Sequence, residues 1–332
     1  IGDPQAYPLP DVTCDFTEVK VEAVGPDRVR VSGAKGRAPS GSYKVCLTHE
    51  DGWRVIALMP VVGRDAARKA ERQAAAVIER VEDLLRMKNI APFRARRIEA
   101  LGSEATYGAQ TRARDVREVT CKTALEHEDP YALEMYLREA ESPTTSMSVG
   151  STGWFGSRPA VAPVVRVFSF LIDRAKAETW VDVGGRRFVV AVPPLGSSPS
   201  AKPIPAGPSA APASGEAVKV ELIRLAWARS GDKGDAFNIG VIARRPEYMP
   251  YIRAALTEEA LLGFFAHEFE GGRHPAVIRY ELPGLDALNF HLKDSLGGGQ
   301  MASLRLDALA KGKAQQLLDF EVPVPRGLLQ EA

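Results

Sequence analysis

Residues 196–216 (GSSPSAKPIPAGPSAAPASGE) constrain this chain more than any other stretch, because 18 of the 21 are Gly, Ser, Pro or Ala. Such a composition cannot bury enough apolar surface to offset the entropy of ordering it. It reads as a linker, made semi-rigid by its five prolines. Folding is therefore expected in two units, 1–195 and 217–332. A length of 332 residues agrees with two domains.

Periodicity fills in both units. In the first, alternating residues predict strands over 16–24 and 28–32 around Gly25-Pro26-Asp27. Strands over 42–48 and 53–60 would form a hairpin around Glu50-Asp51-Gly52. Ala70, Ala74, Val77, Val81, Leu84 and Leu85 recur at helical spacing and predict a helix over 65–87, with Asp65 near its start as a cap. Strands over 96–101 and 116–125, a helix over 130–141 with Pro130 in its first turn, and strands over 164–172, 178–183 and 187–192 complete it. The second unit reads as strands 218–228 and 239–244, a helix over 250–269 and strands 276–281, 287–292 and 303–308. A short helix over 310–318 and a strand over 320–324 close it. The fold class is α/β to α+β: a mixed domain followed by a small two-layer α+β domain with helices on one sheet face.

Charge narrows the partners. With 43 Lys+Arg against 42 Asp+Glu, the net charge is +1, which gives no electrostatic reason to expect nucleic acid or an anionic membrane. The apolar stretch 161–172 is interrupted by Pro163, Arg166 and Ser169 and is too short to span a bilayer. Cys14, Cys46 and Cys121 are odd in number and far apart, which predicts reduced thiols in a cytoplasmic protein. The five histidines form no HxH or HExxH pair, so no metal site is predicted.

Chemistry concentrates in Arg229-Ser230-Gly231-Asp232-Lys233-Gly234-Asp235, followed by Asn238. Between two apolar strands, this run is expected in the connecting turn. It is either a charged surface turn or a site. In a site, Arg229, Ser230, Lys233 and Asn238 would hold a carboxylate or phosphate, and Asp232 or Asp235 would transfer a proton. A second candidate is Thr144, Thr145 and Ser146, whose hydroxyls precede a Gly-rich loop with Trp154 and Phe155; such a loop can cradle an anion or simply be flexible. Gly298, within Gly297-Gly298-Gly299, marks either a tight turn or a ligand against the backbone. No GxGxxG or GxSxG motif occurs.

Several stretches together resemble one family. LPDVTCDF at 9–16, GPDRVRVSGAKG at 25–36, ATYG at 105–108, ARSGDKG at 228–234 and NIGVIAR at 238–244 are similar to the acyclic terpene utilisation (AtuA) family, in order along nearly the whole chain except the linker. The resemblance implies that 1–195 is the later part of a larger core domain and 217–332 a ferredoxin-fold-like domain. The start of that core domain, on the same or a separate chain, would then be a partner. It also implies bacterial breakdown of acyclic terpenoids such as citronellol through acyl-CoA intermediates, with CoA entering as part of the substrate and no other cofactor evident. A hydration or lyase-type step is the expected chemistry, in a cytoplasmic homo-oligomer. The alternative is a non-catalytic structural or assembly subunit whose charged turn clamps the domains together.

Overall fold

The computed structural model describes residues 3–191, 207–208, 217–269 and 274–329. Apart from Gly207 and Pro208, the linker lies outside the described residues. The chain opens with β1 (Tyr7–Pro8), β2 (Thr13–Asp15), β3 (Lys20–Gly25), β4 (Arg28–Ser32) and β5 (Lys35–Arg37). Strands β1, β2 and β5 make a small sheet, and β3 with β4 a hairpin whose turn residue Asp27 has φ 53°.

The first large layer comprises β6 (Ser42–Val62), α1 (Ala66–Met87), β7 (Ala95–Leu101), β8 (Glu118–His127), α2 (Pro130–Glu139), the short α3 (Pro143–Ser146) and β9 (Ala162–Asp173). Its sheet is antiparallel in the order β7-β8-β6-β9. Val77, Ile78, Val81 and Leu85 of α1, with Leu133 and Tyr136 of α2, pack on Val55, Ala57 and Leu125 from one sheet face. At about 1.5–3 kcal/mol for each large apolar side chain removed from water, this stripe holds the layer together. The predicted hairpin at Glu50-Asp51-Gly52 does not form: β6 runs straight through it as one strand with a bulge between Glu50 and Trp53. Gly52 takes φ 77° there, so the glycine relieves a bulge rather than closing a turn. Residues 53–62 pair with β8 and residues 42–50 only with β9. Asp65 sits at the start of α1 in left-handed geometry without a side-chain cap. A hairpin of β10 (Trp180–Val183) and β11 (Arg186–Val189) ends the unit; Val192 lies outside the described residues.

The second unit contains β12 (Ala217–Glu221), β13 (Ala226–Asp232), β14 (Phe237–Ala243), α4 (Met249–Ala255), α5 (Glu258–Phe264), β15 (Ala276–Leu282), β16 (Ala287–Lys293), α6 (Lys313–Leu317) and β17 (Glu321–Pro325). Its antiparallel sheet is ordered β13-β14-β16-β15, beside a separate β12–β17 pair. Alternation sets the faces. Phe237, Ile239, Val241, Leu288, Phe290 and Leu292 point into the helices, which leaves Asn238, Gly240, Ile242, Asn289 and His291 on the opposite face.

Three expectations fail here for local reasons. The strand over 218–228 is cut by a helical turn at Leu222–Arg224, because its halves serve different partners, β17 and β14. The helix over 250–269 breaks after Ala255, where Thr257 caps the next helix through the Ala260 amide at 3.0 Å. The strand over 303–308 is absent: the Ser303 amide turns back to the Gly299 carbonyl, while the Leu304 carbonyl and the Leu306 amide bond to side chains of the first unit.

That contact joins the two units. Arg54, Lys122 and Glu126 lie on the face of the first sheet opposite its helices. Lys122, 6% exposed, donates to Glu99 at 2.6 Å and to the Leu304 carbonyl at 2.5 Å. Glu99 accepts from the Leu306 amide at 3.3 Å, and Arg54 donates to the Met301 carbonyl at 2.8 Å. Burial on both faces explains why β8 is buried at almost every position. No helix among the described residues is long and apolar enough to cross a membrane.

Candidate ligand-binding site

The helix-free face of the second sheet forms the floor of a cavity of about 360 Å³. Strand register aligns its side chains in rows. Arg229, Gly240, Asn289 and Tyr280 lie across one row, and Gly231, Asn238, His291 and Ile278 across the next. A third row, Trp227, Ile242, Ala287 and Leu282, is apolar. Gly240 leaves the floor low between Arg229 and Asn289; in the next row a Cβ on Gly231 would come within 2.9 Å of the Lys311 ammonium. The first unit supplies one wall. Pro4 lines the cavity beside Leu282 and Leu285, and the Gly284 amide donates to the Thr17 carbonyl at 3.2 Å.

Charge is asymmetric around this floor. Arg229, Lys233 and Lys311 line the cavity together with Ile242, Leu282 and Leu285, and strand register sets the apolar row at the end away from Gly231 and its neighbour Lys311. Lys311 has Asp232 at 3.9 Å, and the Lys233 ammonium donates to the Asp232 carbonyl at 2.9 Å. Arg229 is exposed and has no carboxylate partner among the described residues. The Asn238 amide donates to Asn289 at 2.9 Å, which fixes both amides side by side. Burial, together with the charges of Lys293 and Lys233, holds the His291 imidazole below its ordinary range, so it is neutral at pH 7. Burial, with Asp3 nearby, raises the Tyr280 phenol and keeps it protonated there.

The structure separates the residues singled out in the sequence. The run 229–232 is not a turn but the end of β13, and only 233–236 turns. Strand alternation therefore sends neighbouring residues to opposite faces. Arg229, Ser230, Lys233 and Asn238 line the cavity, but not all through their side chains. The Ser230 hydroxyl faces the helix side, donating to the Ala310 carbonyl at 2.6 Å and accepting from the Ala314 amide at 2.9 Å, which ties α6 to the sheet. Asp235 accepts from the Gly298 amide at 2.8 Å; neither they nor Asp232 line the cavity. A Cβ on Gly298 would meet the Arg166 guanidinium at 2.7 Å, so that loop belongs to the contact between units. Thr144, Thr145 and Ser146 lie in and beside α3, where their hydroxyls donate to the carbonyls of Glu141 and Ser142. They do not meet the other candidates in this cavity. Asn289, Tyr280 and Lys311 belong to no motif in the sequence, and His291 figures there only as one of five histidines without metal-site spacing. The signal was available: in 287–293, Asn289 and His291 alternate with Leu288, Phe290 and Leu292, which sets them on the face away from the core.

Comparison with known families is decisive on kinship. The model of acyclic terpene utilisation family protein AtuA matches residues 1–183, and that of the AtuA ferredoxin-like domain matches residues 220–323. The chain belongs to the AtuA family. No curated protein and no solved structure matches it. Membership associates this AtuA protein with acyclic terpene utilisation. Its cavity is walled by both family regions, since Pro4 comes from the first and the sheet floor from the second.

Proposed function

We propose that this AtuA protein binds an acyl-CoA of acyclic terpenoid or branched-chain catabolism on the open face of its ferredoxin-like sheet, and carries out a hydration or lyase-type step there. The observation that carries this reading is the cavity's split character, with three cationic side chains at one part and an aliphatic row at another. A CoA thioester of a terpenoid acid has the matching halves, phosphates for Arg229, Lys233 and Lys311 and a branched apolar chain for Ile242, Ala287 and Leu282. In the hydration direction, neutral His291, on the same sheet face beside the lining residue Asn238, accepts a proton from water as the water oxygen bonds to the β-carbon of an α,β-unsaturated thioester. The imidazolium so formed gives that proton to the α-carbon and returns to its neutral form. The lyase direction is the reverse. Asp232 acts by positioning Lys311 and Lys233.

The alternative of a non-catalytic assembly subunit has one observation in its favour: Asp235 and Gly298 join the loops that abut Arg166, as an inter-domain clamp would. The two readings separate by calorimetric titration with geranyl-CoA. Arg229→Ala is expected to weaken binding by about 10- to 100-fold, the worth of one or two hydrogen bonds to a charged group. Incubation with an unsaturated ester is expected to give a product heavier by one water. Equal affinity of parent and variant, or no binding by folded protein, would contradict the cavity reading.

A further inference from the structure

Lys311 reaches the cavity from the opposite side of the sheet. Strand β13 is an edge strand, and α6 lies on its helix side, where Ala314 and Leu317 belong to the core. The chain leading into α6 follows that edge and is pinned along it. The Asp232 amide donates to the Leu309 carbonyl at 3.1 Å. The Ser230 hydroxyl holds the Ala310 carbonyl and the Ala314 amide, on either side of Lys311. Asp307 accepts from the amides of Lys311 and Gly312, both at 2.8 Å. Ala310 is fully buried with φ 52°, a left-handed geometry that an alanine keeps only where its surroundings impose it. From this anchor the Lys311 side chain crosses the edge, and its ammonium stands 2.9 Å from where a Cβ of Gly231 would lie on the cavity face. Gly231 is not among the left-handed glycines, and a glycine weakens a strand. Room for the ammonium is what its missing side chain provides.

We infer that Ser230, Asp307 and Gly231 are positioning residues for Lys311, the first two fixing its backbone against the edge of β13 and the third making space for its ammonium, which binds a phosphate group of the ligand. The inference takes that phosphate from the acyl-CoA reading of this cavity and goes beyond it in ranking the cations. The Lys233 ammonium already donates to the Asp232 carbonyl at 2.9 Å. The Lys311 ammonium makes no hydrogen bond among the described residues, because Asp232 at 3.9 Å is beyond hydrogen-bonding distance. Its three N–H donors are therefore free for phosphate oxygens, and a side chain 64% exposed is open to a bulky headgroup. A lysine is a point charge on a flexible stem. Fixing its backbone and leaving it a gap in the floor lowers the ordering cost that binding an anion imposes.

The test is calorimetric titration of the complete chain with inorganic pyrophosphate and with geranyl-CoA. Lys311→Gln is expected to weaken both by about tenfold or more. Ser230→Ala and Gly231→Ala are each expected to weaken both by about three- to tenfold. Gly231→Ala should do so without loss of thermal stability, because its methyl displaces only the end of a flexible side chain. A double-mutant cycle separates positioning from structure: in the Lys311→Gln background neither substitution is expected to cost further affinity, since each acts through the ammonium. Additive losses would make Ser230 and Gly231 structural only and overturn the inference. The two readings fail separately. A parent that binds pyrophosphate but not geranyl-CoA, with the cycle as expected, refutes the acyl-CoA reading and upholds the positioning of Lys311. Geranyl-CoA bound equally by parent and Lys311→Gln does the reverse, and a folded parent that binds neither overturns both.

Discussion

Glu268→Gln is expected to destabilise the protein by about 3–5 kcal/mol, the range for removing one partner of a buried ion cluster. Glu268 is 2% exposed. It accepts from Lys313 at 2.5 Å, from Arg305, and lies 3.2 Å from the His267 imidazole. Burial opposes its ionisation, but the hydrogen bond from His267 and the charges of Lys313 and Arg305 outweigh it and hold the carboxyl at about 2, against an ordinary 4.5. A neutral amide would leave Lys313, itself 2% exposed, charged and uncompensated. The lowered value also fixes a pH dependence. Stability from this carboxylate is complete above about pH 4.5 and is lost as pH falls towards 2. By linkage it amounts to roughly 3 kcal/mol. Urea denaturation at pH 7 and at successively lower pH checks both statements. A midpoint that barely moves in Glu268→Gln, or a parent equally stable at pH 3 and pH 7, would refute them.

Lys122→Met is expected to act on the joint between the units, again by about 3–5 kcal/mol. It removes the nearer of the two cations that neutralise Glu99, which is 3% exposed, leaving only Arg97 at 3.4 Å, and deletes the bond to the Leu304 carbonyl. Amide exchange at 301–306 should rise more than at β13–β16, because the segment loses an anchor while its own sheet keeps its core. Combining Lys122→Met with Glu99→Leu should recover most of the loss, since the pair's cost is desolvation that disappears when both charges go. A double variant no better than the single one would place the effect in packing instead.

Much of the fold was legible because its signals are local. Helix α1 announced itself through Ala70, Ala74, Val77 and Val81, and the β3–β4 hairpin through Gly25-Pro26-Asp27. What failed depended on distant partners. Glu50-Asp51-Gly52 has hairpin chemistry, yet β8 and β9 pair along the two halves of β6 and pull the chain straight, leaving a bulge. Residues 303–308 alternate like a strand, yet Lys122 and Glu99 of the other unit claim their backbone groups. The site was half legible for a related reason. Charge density pointed to the stretch around Arg229, but reading it as a turn concealed that strand alternation sends Ser230 to α6 and Arg229 to the cavity. The loops carrying Asp235 and Gly298 meet in space, although 63 residues separate them in sequence.

The central claim, that a terpenoid acyl-CoA lies on the open face of the ferredoxin-like sheet, is tested most directly by hydrogen–deuterium exchange with and without saturating geranyl-CoA. The account predicts slowed exchange in β13, β14 and β16 and around Gly284, with residues 65–71 and 111–115, which line a separate cavity of the first unit, unchanged. Protection confined to those first-unit residues, with the sheet unaffected, would contradict it.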